Sequence, residues 1–209
     1  MIIAFLCALV ATDTVRIIPM ERPPLFDGRA DTAEYGAPSL TIDRPGRPVL
    51  VWLRSYGGQV YLAARITDPT WYWGDDLVVS LDTRGDRATG PEHDDFQWYF
   101  RRALDSSVVF RGDAGKWRAP RDDPDWRLGR EREGGGWEVR SVDGQDGWSL
   151  ELRLDASYFR EAGAGRPGLA LRVYDDDPHG WHTWPTPAGV RQPTEVERRP
   201  ELWSVVLGP

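Results

Sequence analysis

Polar and apolar residues alternate along this chain with the two-residue period of strands that bury one face. In the segment 60–66, Val60, Leu62, Ala64 and Ile66 share one side, and the apolar run 49–53 precedes it across the turn Ser55-Tyr56-Gly57-Gly58-Gln59, so the pair predicts a hairpin. A second hairpin is predicted where 137–142 and 148–154 flank Asp143-Gly144-Gln145-Asp146-Gly147. There Trp148, Leu150, Leu152 and Leu154 alternate with Ser149, Glu151 and Arg153, one face buried and one wet. Apolar runs at 77–81, 169–174 and 202–207, an aromatic run at 96–100 and a β-branched run at 107–110 add further strands, punctuated by Asp, Gly and Pro. Only 155–161 predicts helix, one or two short turns capped by Asp155. Many short strands with so little helix predict an all-β fold, an antiparallel β-sandwich of jelly-roll type.

The chain has 209 residues, enough for one such domain to bury a full core without disulfides. No segment repeats at a fixed period and no low-complexity linker divides the chain. Residues 118–125 and 130–136 are the most loop-like stretches within the domain. Residues 1–12 open with the apolar run MIIAFLCALVA, too short to span a bilayer, which needs about 20 apolar residues. The run resembles the apolar core of a secretory signal, which implies a secreted, periplasmic or envelope-exposed protein, although no Lys or Arg precedes it. A buried first strand is the other reading of the same run. Residues 13–24 follow as a linker or first edge strand, with 20–24 leading into a domain over 25–209.

Composition narrows the function classes. A formal charge of −7 and a pI near 5.0 argue against nucleic acid and anionic membranes, which need a basic surface. Cys7 is the single cysteine, so the domain has no disulfide framework, no zinc-type cysteine cluster and no thiol chemistry. Nucleophile-elbow, phosphate-loop and cofactor fingerprints are absent from the sequence, which argues against an enzyme and against an organic cofactor. The carboxylate pairs that a glycosidase uses arise by chance in so acidic a chain. A haem held by Met and His is excluded as well, because Met20 precedes the domain and no Met follows it. Neutral ligands and cations remain, and a monomer is expected.

Eleven tryptophans are the chain's most distinctive expenditure. Two pairs fall in polar, turn-forming sequence: Trp71 and Trp73 within Trp71-Tyr72-Trp73-Gly74-Asp75-Asp76, and Trp181 and Trp184 after Asp175-Asp176-Asp177-Pro178-His179-Gly180. Such sequence tends to lie at the surface, where a flat apolar ring is available to a ligand. A pyranose offers C–H groups on its face and hydroxyls at its rim, so an indole can take the face while polar groups take the rim. Asp75, Asp76, Gln97, Arg101, Asp175 and Asp177 flank these segments and supply the polar groups. The bland reading packs one indole of each pair against the sheet edge.

Asp82, Asp86, Glu92, Asp94 and Asp95 gather in one acidic stretch, a set suited to an oxygen-seeking cation such as calcium. Asx-turn chemistry with solvated carboxylates, helped by Arg84 and Arg87, accounts for the same residues. His179 and His182 lie among Pro and Gly instead of on a helix, which argues against a metal pair.

The order of motifs resembles the family 9 carbohydrate-binding modules. The resemblance rests on Leu25-Phe26-Asp27-Gly28-Arg29-Ala30-Asp31, Val60-Tyr61-Leu62-Ala63 leading into Ile66-Thr67-Asp68-Pro69, Asp75-Asp76-Leu77-Val78-Val79-Ser80-Leu81-Asp82 and Asp94-Asp95-Phe96-Gln97. It continues through Trp148-Ser149-Leu150-Glu151, Val173-Tyr174-Asp175-Asp176-Asp177 and Leu202-Trp203-Ser204-Val205-Val206-Leu207, and so covers nearly everything from Leu25 onward. It implies a non-catalytic β-sandwich that clamps a sugar of a xylan- or cellulose-type β-glycan between two tryptophans, in support of polysaccharide catabolism, with calcium held elsewhere. The clamp indoles fall at Trp71 or Trp73 and at Trp181 or Trp184. Two polar positions depart from the pattern: Val78 stands where a glutamate is usual, and Tyr174 where an asparagine tends to precede the late aspartate. These departures leave the sugar open, and with it the alternative that the sandwich has become a protein-interaction or structural domain.

Overall fold

The computed structural model describes residues 13–102, 106–119, 128–129, 136–160, 165–176, 179–187 and 189–208. The apolar run 1–12, Asp177 and most of the two loop-like stretches lie outside them.

In chain order the strands are β1 (Thr14–Arg16), β2 (Ile18–Pro19), β3 (Leu40–Ile42), β4 (Val49–Tyr56), β5 (Gln59–Thr67), β6 (Asp76–Asp82), β7 (Asp95–Arg101) and β8 (Ser106–Asp113). They continue as β9 (Lys116–Arg118), β10 (Leu128–Gly129), β11 (Trp137–Gly144), β12 (Gly147–Asp155), β13 (Gly168–Asp176), β14 (His179–Trp184) and β15 (Ser204–Leu207). Two sheets result. The larger runs β1-β15-β13-β6-β7-β8-β10, with β14 on the edge of β13 and β9 on that of β8; the smaller runs β11-β12-β5-β4-β2, with β3 on β4. Both predicted hairpins are present, β4 with β5 and β11 with β12, in the registers that the alternation required. All pairings are antiparallel except the two short N-terminal strands: β1 runs parallel to β15, and β2 parallel to β4.

The core lies between the sheets. Leu77, Val79 and Leu81 of β6, Phe96, Trp98 and Phe100 of β7, and Leu169, Leu171 and Val173 of β13 meet Val60, Leu62, Ala64, Leu150 and Leu152 of the smaller sheet. Burial of such side chains contributes about 1.5–3 kcal/mol each, which makes this face the main source of stability. The outer side of the smaller sheet is covered too. There Tyr35, from the short helix α1 (Thr32–Tyr35), packs with Trp52, Tyr61 and Ala63, and its hydroxyl donates to the buried Glu151. Gly28 explains why an Asp-Gly pair stands in this crossing: at φ 89° its backbone passes so close to Ser141 that an added Cβ would lie 2.9 Å from backbone atoms.

The structure departs from the sequence expectation in three places. The face of β12 expected to be wet is covered, with Ser149 and Glu151 buried and bonded to Gly28; residues 13–24 take the edge-strand alternative, β1 and β2 binding one edge of each sheet and Met20 N–H donating to Ser55 O. The polar stretch at 179–184 is not a loop; it is β14, paired with β13 over six residues. Helix is slightly more extensive than predicted, with α1 and α2 (Pro193–Val196) each too short to show a 3.6-residue period.

The turn at 155–161 is present as the 3₁₀ segment Ala156–Phe159, with the Asp155 carboxylate accepting from Ser157 N–H at 2.8 Å. That bond holds the Asp155 pKa below the usual carboxylate range. Asp155→Ala should cost about 1 kcal/mol in denaturant unfolding, and Asp155→Asn clearly less. Because the folded pKa is depressed, the cap's charge-dependent contribution is present above about pH 4 and fades as pH falls through the folded value. The penalty of Asp155→Ala should therefore shrink in acid.

Candidate functional site

A strand period of two divides the larger sheet cleanly. With Leu77, Val79 and Leu81 turned into the core, Asp76, Val78, Ser80 and Asp82 stand on the outer face, level with Arg101, Tyr99, Gln97 and Asp95 of β7. On β13 the outward set is Ala170, Arg172 and Tyr174. The register of β14 then decides between its two tryptophans. Trp181 pairs with outward Tyr174 and Trp184 with inward Leu171, so residues three apart on a strand take opposite sides. Trp184 packs against the core, which removes it from the ligand set expected from sequence, and Trp181 lies on the outer side of the sheet. Much of that side is itself covered, Val78, Gln97, Ala170 and Arg172 being buried and Ala170 packed under Val196 and Trp203, so the accessible part is that around Tyr99, Arg101, Tyr174 and Trp181.

Polar contacts hold this outer face in place. Arg101 grips Asp76 with a two-bond fork, Nε to Oδ1 at 2.9 Å and Nη2 to Oδ2 at 3.1 Å, and Tyr99 Oη donates to Asp76 Oδ2 at 2.5 Å. Burial and that acceptor push the Tyr99 hydroxyl up to about 12, so it remains a donor at physiological pH. Arg172 reaches Glu197, just beyond α2, at 2.6 Å, and Gln97 Nε2 donates to Ser80 Oγ at 3.2 Å and to Glu197 at 3.5 Å. Burial lowers the Arg172 pKa and raises that of Glu197, each opposed by the partner's charge.

Aromatic rings lie on these arginines. The Arg172 guanidinium carbon is 3.8 Å from the centre of the Trp181 ring, and that of Arg101 is 5.0 Å from the centre of Trp73. Trp71 and Trp73, on the turn between β5 and β6, are 61% and 55% exposed, among the most exposed large apolar side chains described.

A second ionic group lies beneath. Asp68, Asp75 and Asp175 are each 1% exposed or less and meet Arg44, Arg47 and Arg102. Arg102 Nη1 donates to Asp75 Oδ2 at 3.1 Å and to Thr70 O at 2.9 Å, and its Nε to Asp143 at 2.7 Å. Asp75 in turn accepts Tyr72 N–H at 3.0 Å, and Asp68 accepts both N–H and O–H of Thr70. These bonds shape the turn that carries Trp71 and Trp73. Arg44 with Asp175 ties down the turn end of the β13–β14 hairpin that carries Trp181. Asp75 and Asp175, expected to bond a ligand, are thus buried supports of the two aromatic segments.

The acidic stretch lies on the same sheet at the opposite ends of β6 and β7. Carboxylate oxygens of Asp82, Asp86 and Asp94 all fall within 4.8 Å of one another, and Asp82 and Asp94 are buried. Asp94 Oδ2 and Asp95 Oδ1 are buried without a hydrogen-bond partner, and burial followed by its acidic neighbours raises the Asp95 pKa to about 8. Glu92 is exposed, outside the trio, and bonds Asp95 through its backbone N–H. The turn chemistry expected from sequence is also there: Asp82 accepts Gly85 and Arg87 N–H, and Asp86 accepts Ala88 N–H. Arg87 does not neutralise the acids, since its guanidinium donates to Trp203 O at 3.0 Å. Three converging carboxylates, one of them with a buried oxygen that has no hydrogen-bond partner, suit calcium, a hard cation that takes oxygen ligands.

Sequence reasoning missed Tyr72, Tyr99, Arg172 and Glu197. Parity would have reached Tyr99 and Arg172, which stand two residues from Arg101 and Tyr174; nothing local marks Glu197, brought in from beyond α2.

No family model and no curated protein matches the sequence. Among solved structures, a family 9 carbohydrate-binding module from Caldicellulosiruptor kristjanssonii in complex with cellotriose aligns with a TM-score of 0.58 at 15% identity, covering 94% of this chain and 93% of that one. A family 9 module from the same organism in complex with glucose aligns at 0.62 and 14% identity, covering 94% and 96%. The chain therefore has the β-sandwich fold of the family 9 carbohydrate-binding modules.

Proposed function

We propose that this domain binds carbohydrate without transforming it, a sugar of a β-glycan resting on the indoles of the larger sheet's outer face. The observation that carries this reading is the pairing of exposed Trp73 and outward Trp181 with polar groups at their feet, on a fold whose solved examples hold cellotriose and glucose. An indole covers one sugar face, and at roughly 25 cal/mol per Å² a contact of about 100 Å² is worth 2–3 kcal/mol before ordering costs. Arg101, 30% exposed, can donate to a sugar hydroxyl, and the partly exposed Tyr99 oxygen, whose proton goes to Asp76, can accept from one. A xylan or cellulose chain is the natural source of such a sugar, and a secreted or envelope-exposed setting is where such a polymer would be met. Calcium at Asp82, Asp86 and Asp94 would brace the strand ends and take no part in the sugar contact.

Tryptophan fluorescence titrated with glucose, xylose, cellobiose and xylo-oligosaccharides tests the proposal. A saturable shift is expected, with Trp73→Ala and Trp181→Ala each weakening affinity about 10- to 100-fold and Trp184→Phe leaving it nearly unchanged. A flat response to every sugar from folded protein would hand the sandwich to the interaction-domain alternative.

A further inference from the structure

The rings of the two indole-bearing segments are joined by two tyrosines. Tyr72 lies 5.5 Å from Trp73 and 6.4 Å from Tyr174, and Tyr174 lies 4.9 Å from Trp181, centre to centre. Tyr72 and Tyr174 thus occupy the interval in which a clamp would leave a slot for one sugar. The orientation of the indoles agrees. Arg101 and Arg172 rise from the same face of one sheet, and Trp73 and Trp181 lie over their guanidinium groups. Both indoles therefore lie on that outer side of the sheet.

We infer that Trp73, Tyr72, Tyr174 and Trp181 form a continuous aromatic strip that engages several consecutive sugars of one extended neutral β-glycan chain, instead of a single sugar held between opposed rings. Each ring-to-ring step is comparable with the advance of one β-linked pyranose. Neighbouring rings are inclined by 49°, 38° and 60°, so the strip is corrugated and suits a twisted single chain better than a flat crystalline surface. Its cations are already matched, Arg101 by Asp76 and Arg172 by Glu197, which favours uncharged sugars over uronates.

The inference rests on the carbohydrate reading, and calorimetric titration of the full chain with glucose, cellobiose, cellotriose and cellotetraose separates the two. Affinity should rise at least tenfold from glucose to cellotetraose and change little between 50 and 500 mM NaCl. Tyr174→Ala and Tyr72→Ala should abolish most of that rise, and Tyr174→Phe, which keeps the ring, should retain it. Equal affinity for glucose and cellotetraose, or a rise untouched by both alanine variants, would overturn the strip and leave carbohydrate binding standing. Binding of none of these sugars would overturn both.

Discussion

Arg102→Met should destabilise the protein by about 3–5 kcal/mol in guanidinium unfolding, because it strands buried carboxylates. The Arg102 side chain is 6% exposed and is the closest cation to Asp75, with Asp68 at 3.9 Å. Asp75 Oδ1 and Asp68 Oδ2 are already buried without a hydrogen-bond partner, so little remains to absorb the charge; Arg47, 4.0 Å from Asp68, stays behind as a distant substitute. Burial, the largest influence on Asp75, raises its pKa, and loss of Arg102 would raise it further. A raised folded pKa means that the unfolded chain ionises first as pH climbs, so stability is lost between the unfolded value near 4 and the folded one. The deficit of Arg102→Met should accordingly be smaller at pH 4 than at pH 8, and Asp75→Asn combined with it should recover part of the loss. A deficit below 1 kcal/mol at pH 8 would show the group to be solvated. Sugar affinity should fall as well, since Arg102 also anchors Thr70 O at the root of the Trp71–Trp73 turn.

What was legible in the sequence follows from what is local. β5 and β12 were readable because their core faces carry an apolar residue at every second place, Val60, Leu62, Ala64 and Ile66 in one and Trp148, Leu150, Leu152 and Leu154 in the other, and the turns between partners contain glycine. β14 was not, because its inward residues Gly180, His182 and Trp184 are no more apolar than its outward His179, Trp181 and Thr183. Without the strand assignment, the odd spacing of Trp181 and Trp184 could not show that only one of them reaches the open face. The aspartates at 75 and 175 read as ligand groups for a related reason. Their arginine partners arrive from 27 and 131 residues away, a distance over which polarity in sequence says nothing about burial. Asp76 and Arg101 fall on the outer side of the sheet as strand parity directly dictates, although Asp76 is buried there with its carboxylate taken by Arg101 and Tyr99.

The acidic end of the sheet carries the second large expectation. Calcium at about 100 times its dissociation constant should stabilise the protein by about 2.7 kcal/mol, and so raise Tm by roughly 5–10 °C for a chain of this size. The reason is electrostatic. Asp82 and Asp94 are buried within 4.8 Å of each other and of Asp86, and burial raises the pKa of Asp82 as well as that of Asp95. Like charges so placed cost folding free energy in the absence of a cation, and a divalent ion reverses the sign of that cost. Calcium should outperform magnesium, which demands a near-octahedral shell that three aspartates on two strand ends and a turn do not define. Asp86→Asn, at an exposed position, should keep the fold and lose most of the calcium response. Asp82→Asn should also abolish that response, although by removing a buried charge it can raise the stability of the metal-free protein. A thermal shift series with EDTA, CaCl2 and MgCl2 reads all of these, and an unchanged Tm in 10 mM CaCl2 would leave the trio as turn-forming carboxylates alone.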